Sequence, residues 1–129
     1  MKILVVDDAP EIVEVVTICL QLRWGHATVL SAGTGTKGLM IVDSEKPDLV
    51  VLDVNLPDID GFEVLQKIRQ TSTVPVVMLT VKGKDTDIAH GLELGADDYV
   101  IKPFSNLELI ARLENAMRRA HQPSEDDPQ

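Results

Sequence analysis

Aromatic residues make up only 3% of this chain's 129 positions. A core built from it must be aliphatic, and stacking platforms for bases or flavin rings are disfavoured. Cysteine occurs once, as Cys19, which excludes an internal disulfide and suits a reducing compartment. Basic residues are in deficit: 12 Lys and Arg stand against 21 Asp and Glu, a net charge of −9. Phosphate backbones want a basic face, so nucleic acid is not expected as a direct partner, whereas cations and basic protein surfaces are. The sequence has neither a signal peptide nor an apolar run of membrane length, so a cytoplasmic protein with no membrane partner is expected.

Hydrophobic residues reach 44%, enough for one globular domain around a single core. They are concentrated in short runs that end on polar groups. Leu49-Val50-Val51-Leu52 stops abruptly at Asp53, between the turn signals Pro47, Pro57 and Gly61. Such a run reads as a strand buried on both faces, with Asp53 at the sheet edge where α/β proteins place their chemistry. Ile3-Leu4-Val5-Val6 runs likewise into Asp7-Asp8, Val76-Val77-Met78-Leu79 into Thr80, and Tyr99-Val100-Ile101 into Lys102.

Taken in order, strands are predicted at 2–6, 27–31, 48–52, 75–79 and 98–101. Between them, Pro10 suits a first helical turn, and Ile12, Val15, Val16, Cys19 and Leu20 recur at helical spacing until Gly25. On this pattern Cys19 is a buried structural thiol. A glycine-broken helix follows at 35–44, where the extra glycines loosen it. Phe62, Val64, Leu65 and Ile68 mark another helix, and a fourth runs from about 85 to 94. Ser105 and Glu108 form a capping-box pattern opening a last helix with the inner stripe Leu107, Ile110, Leu113 and Met117. The domain is expected to span 1–121, and residues 122–129 read as a disordered tail or the start of a linker.

Alternating strands and helices imply a five-stranded parallel sheet with helices on both faces, in the order 2-1-3-4-5 of the flavodoxin-like folds. Strands one and three would then lie roughly 4.8 Å apart, and Asp7, Asp8 and Asp53 would meet where the order reverses. Converging carboxylates repel unless something positive sits among them. Lys102 supplies one charge, and an oxygen-only ligand set favours Mg²⁺ for the rest. No acid/base pair or Ser/His arrangement is present. The set instead suits phosphoryl transfer: a carboxylate nucleophile, a metal, a cation and a hydroxyl. Taken singly, an Asp after a strand is as readily a cap or turn residue, and Asp8 is a candidate cap for the helix at Pro10. Capping needs do not explain all five residues at one sheet edge.

These residues, with Leu56-Pro57, Gly61 and Lys102-Pro103-Phe104, resemble the receiver domain of two-component response regulators, over residues 2 to about 120. The resemblance implies that Asp53 accepts phosphate from a sensor histidine kinase. It implies Mg²⁺ (Mn²⁺ as a substitute) on Asp8, Asp53 and the Asn55 backbone carbonyl, with Asp7 binding through water. It further implies that Lys102 and Thr80 hold the phosphoryl group, that Tyr99 packs inward as Thr80 moves, and that the peptide before Pro103 is cis. The stretch Gly91-Leu92-Glu93-Leu94-Gly95-Ala96-Asp97-Asp98-Tyr99 is similar to the OmpR/PhoB subfamily of transcription regulators. There, phosphorylated receivers form homodimers through charge pairs, matched here by Asp98 with Arg112 and Asp97 with Arg119, and DNA is bound by a separate effector domain. Glu108 matches as well, but its basic partner falls at Ile88. Val81 also departs, since a small residue usually follows the threonine, and slower phosphorylation and dephosphorylation than in a Val81→Ala variant are expected. Lys82, near the site mouth, is read as tuning dephosphorylation.

Two rival readings compete. Gly33, Gly35 and Gly38 spell G-x-G-x-x-G between a strand and a helix, with Asp53 twenty residues beyond the first glycine, as in dinucleotide-binding turns. That motif follows what should be an edge strand and leaves Asp7, Asp8, Thr80 and Lys102 unused. An aspartate-nucleophile phosphatase of haloacid dehalogenase type shares the chemistry, but expects its nucleophile after the first strand and a second Asp where Asn55 stands. His26, His90 and His121 lack metal-ligand spacing and read as surface residues, and Trp24 as packing.

Overall fold

The computed structural model describes residues 1–81 and 85–120. Lys82, His121 and the tail at 122–129 lie outside them. The chain alternates β1 (Lys2–Val6), α1 (Pro10–Arg23), β2 (Thr28–Ala32), α2 (Gly35–Glu45), β3 (Leu49–Asp53), α3 (Gly61–Arg69), β4 (Val76–Val81), α4 (Asp85–Glu93), β5 (Asp98–Lys102) and α5 (Asn106–Ala120). All strand pairs are parallel, in the order β2-β1-β3-β4-β5. The three central strands carry the uninterrupted aliphatic runs because helices cover both faces there. The edge strands β2 and β5 are mixed in burial. Among the described residues no helix is long and apolar enough to cross a membrane.

Period-two alternation divides the core in two. Ile3, Val5, Leu49, Val51, Val77, Leu79 and Val100 face α1 and α5. Leu4, Val6, Val50, Leu52, Val76 and Met78 face the opposite layer of α2, α3 and α4. Cys19 is buried among the first set; its thiol donates to Asn106 Oδ1 at 2.9 Å, and burial raises its pKa. That fits the expected structural thiol.

Three local expectations need correcting. Leu107 is 85% exposed, and the buried line of α5 is Leu109, Leu113 and Ala116, flanked by Ile110 and Met117. Spacings of four and three keep these on one side, whereas Leu107 lies about 200° around the helix from Leu109. On α1, Val15 is 46% exposed, at the margin of the line Val16, Cys19 and Leu20 and about 100° from Val16. The glycines of α2 do more than loosen it. Gly35 and Gly38 are buried, and a Cβ would stand 2.6 Å from Ile59 at the first and 3.0 Å from Val6 at the second. They let α2 lie close against β1 and the start of α3.

Candidate functional site

The register sets the site. Val6 pairs with Leu52, which brings Asp7 level with Asp53 at the carboxyl ends of β1 and β3. Asp53 pairs with Leu79, and Val81 with Lys102. Asp7, Asp53 and Lys102 continue the face of Val5, Val51 and Val100, so all three side chains emerge on the α1/α5 side. Lys102 Nζ lies 3.0 Å from Asp7 Oδ2 and 3.2 Å from Asp53 Oδ1. Both carboxylates are buried, at 2% and 5% exposure. Exposed Asp8 completes a group in which one carboxylate oxygen from each residue lies within 4.8 Å of the others.

Among the described residues this pocket is two positive charges short: one ammonium, that of Lys102, faces three carboxylates. Burial raises the Asp53 pKa, Asp7 raises it further, and Lys102 with the Asn55 backbone N–H pulls it down again. Burial lowers that of Lys102, but the hydrogen bond it donates to Asp7 and the charges of Asp53 and Asp7 outweigh it, and the net shift is upward. The arrangement fits a small divalent cation. The donors are all oxygen, their spacing suits shared coordination, and the charge deficit is that of one Mg²⁺ ion. Asn55 is exposed immediately beyond β3, one residue past Val54.

The first turn behind the pocket is shaped by Asp7. Its Oδ1 accepts from the Ala9 N–H at 2.9 Å, whereas Ala9 is the N-cap of α1 and makes no side-chain cap bond. Asp8 therefore does not cap that helix and stays available at the mouth. Gly61 lets α3 begin hard against β3. A Cβ there would overlap the Asp53 carbonyl oxygen, and its N–H donates to Val54 O at 2.7 Å.

Thr80 and Tyr99 emerge on the other face of the sheet. Thr80 stands one residue beyond the partner of Asp53 and is 3% exposed, and its Oγ1 is buried without a hydrogen-bond partner among the described residues. An unpaired buried hydroxyl is costly. It borders a small cleft with Val54, Met78, Ile88, Ala96 and Tyr99. Tyr99 is half-buried against the core under the Arg112 guanidinium, 5.5 Å from the ring centre. Val81 is 45% exposed beside Lys102, and the Lys102–Pro103 peptide is cis, as the resemblance implied.

Within one chain, Arg112 pairs with Asp98 at 3.4 Å. Asp97 differs: its carboxylate takes Arg69 at 3.0 Å and the Val76 N–H at 2.8 Å, while Arg119 donates to its backbone carbonyl at 2.7 Å. Glu108 is exposed; its N–H donates to Ser105 Oγ at 3.1 Å.

Sequence reasoning missed two polar residues. Arg69 donates to the carbonyls of Gly95 and Val74 as well as to Asp97. Asp58, read only as a turn former, accepts from the Gly35 N–H at 2.8 Å and from the Thr36 N–H and hydroxyl at 3.0 and 2.6 Å. It thereby occupies the backbone donors that a dinucleotide would need from the glycine motif. Neither role leaves a local signal, because the Asp58 partners lie 22 and 23 residues away and the Gly95 and Asp97 partners of Arg69 lie 26 and 28.

The response regulator receiver domain model matches residues 3–114. Among curated proteins, the regulatory protein VanRc of Enterococcus gallinarum is 52% identical over 92% of this chain and 50% of its own length. The DNA-binding response regulator MtrA of Mycolicibacterium smegmatis is 45% identical over 98% of this chain and 53% of its own. The chain thus spans about half the length of these curated relatives. Among solved structures, a two-component response regulator from Clostridium difficile superposes with a TM-score of 0.86 at 30% identity, covering 95% of this chain and 99% of that one.

Proposed function

The chain belongs to the response regulator receiver domain family, the signalling domain of two-component systems, and its relatives are OmpR/PhoB-type regulators; from this we propose that Asp53 is its phosphate acceptor. The observation that carries the reading is the buried pair Asp7 and Asp53, bridged by Lys102 across the sheet with Asp8 beside them. An Asp53 oxygen attacks the phosphorus of a phosphohistidine on a sensor histidine kinase. The phosphorus–nitrogen bond opens, and the imidazole departs with the electron pair. Lys102 pairs with the incoming phosphoryl oxygens, and the Thr80 hydroxyl, unpartnered among the described residues, turns toward them as a donor.

Receiver domains generally bind Mg²⁺ at an acidic pocket. Asp8, Asp53 and the Asn55 carbonyl would hold it here, Asp7 through water, and Mn²⁺ could replace it. When bound, it supplies the positive charge that lets an anionic carboxylate approach an anionic phosphoryl group. The domain assists its own phosphorylation and dephosphorylation but turns over no external substrate.

Movement of Thr80 would draw Tyr99 inward and alter the surface of α4, β5 and α5. Homodimers would form there through Asp98 with Arg112, Asp97 with Arg119, and Glu108 without its usual partner at Ile88. Since Asp97 is already held by Arg69, Asp98 and Arg112 are the stronger candidates for partner exchange. Residues 1–121 would be the receiver and 122–129 a disordered tail or the start of a linker. Control of transcription would require a DNA-binding domain beyond this chain, acting in the cytoplasm.

Acetyl phosphate with Mg²⁺ should add one phosphoryl group to the wild type by intact mass and none to Asp53→Asn. Equal labelling of the two would reject Asp53, and steady turnover of a phosphomonoester would favour the haloacid dehalogenase-type reading. Val81→Ala should gain and lose the label faster than the wild type, and unchanged rates would remove Val81 as an obstruction.

A further inference from the structure

The loop between β3 and α3 begins beside the acceptor and carries Asn55, whose carbonyl the proposed function assigns to the metal. Its ends are secured: Val54 N–H donates to Leu79 O at 3.1 Å, and Gly61 N–H donates to Val54 O at 2.7 Å. Between them, among the described residues, Asp58 makes the only hydrogen bonds from 55–59 to an element other than the flanking β3 and α3. Those bonds reach 22 and 23 residues back, to the first turn of α2.

The tie is two-sided. Thr34 is the N-cap of α2, and its hydroxyl accepts from the Lys37 N–H at 3.1 Å. The Gly35 and Thr36 N–H groups, which a helix end cannot satisfy internally, go to Asp58 instead. A carboxylate there also meets the positive end of the helix dipole. The Thr36 hydroxyl first, then the backbone bonds, hold the Asp58 pKa below the usual carboxylate range, so it stays charged at neutral pH. Gly35 gives Ile59 room to pack where a Cβ would stand 2.6 Å from it. Only Leu56 and Pro57 separate Asp58 from Asn55, and Pro57 has a fixed φ. A displacement of Asp58 therefore passes to Asn55 with little slack.

We propose that Asp58 is a positioning residue for the metal: by clamping the β3–α3 loop to the first turn of α2, it holds the Asn55 carbonyl in its ligating place. This rests on the metal assignment above, and the test separates the two. The full chain is titrated with Mg²⁺ alone, following the backbone amide NMR shifts of Asn55 and Leu56, with thermal melting recorded in parallel. Asp58→Ala should weaken Mg²⁺ binding about tenfold, as loss of an outer partner of a ligand commonly does. Thr36→Val, which removes only the hydroxyl bond on the far side of the clamp, should weaken it in the same direction by less. The double variant should be no worse than Asp58→Ala. A lower melting temperature with unchanged Mg²⁺ affinity in both single variants would show a purely structural cap and overturn the proposal. If the wild type itself bound no Mg²⁺, the metal assignment would fail, and this inference with it. Should Asp58→Ala not fold, Thr36→Val decides: unchanged affinity overturns the clamp, and weakened affinity sustains it.

Discussion

Two half-buried charge clusters sit on this sheet, and they are built to opposite rules. Arg69 and Asp97 balance one charge with one, and spread their remaining bonds over the Gly95 and Val74 carbonyls and the Val76 N–H. Lys102 faces three carboxylates, two of them buried, and among the described residues the Thr80 hydroxyl at the end of β4 has no partner. The first cluster fastens the loops before β4 and β5. The second carries a deficit that folding alone would not retain, and such a deficit marks a place meant to receive something.

The contrast can be broken in three places. Lys102→Met leaves Asp7 and Asp53 buried without their ammonium. In Mg²⁺-free buffer it should cost about 3–5 kcal/mol by denaturant titration, and Mg²⁺ should recover part of it. Arg69→Met should cost about 2–3 kcal/mol, because it strands a carboxylate and two carbonyls. It should leave Mg²⁺ affinity and acetyl phosphate labelling unchanged, and a loss of labelling would mean that the two clusters are not independent.

Asp53→Asn has the opposite sign. The folded protein raises the Asp53 pKa through burial and Asp7, so its proton is bound more tightly folded than unfolded. The stability this proton brings is present below the ordinary carboxylate pKa and is lost as pH rises through the folded value. At neutral pH without Mg²⁺ the Asn variant should therefore be the more stable, by about 1 kcal/mol. The gap should close on acidification or on adding Mg²⁺. A variant less stable than the wild type at every pH would show that Lys102 already compensates the pocket.

The strand order and the place of the five candidate residues at the strand ends could be read in advance because each leaves a local trace. Aliphatic runs buried on both faces cannot alternate, so β1, β3 and β4 announced themselves, and each ended on its polar group at the same edge. Helix faces were less legible. Val15 and Leu107 are apolar but exposed, because composition names the candidates while only the packed partner selects which 100° step of the helix is covered. Gly35 and Gly38 looked like flexibility, or like a nucleotide motif, until the helix they belong to was seen lying on Val6 and Ile59.

The amino-acid order by itself determined the parallel sheet, the aliphatic core and the arrival of Asp7, Asp8, Asp53, Thr80 and Lys102 at one sheet edge, since strand periodicity and chain topology are properties of short segments. Tertiary structure alone decided the commitment of Asp97 to Arg69 and the clamp from Asp58 to α2. Each depends on the distance between groups more than 20 residues apart, and such distances are set only when the helices settle on the sheet.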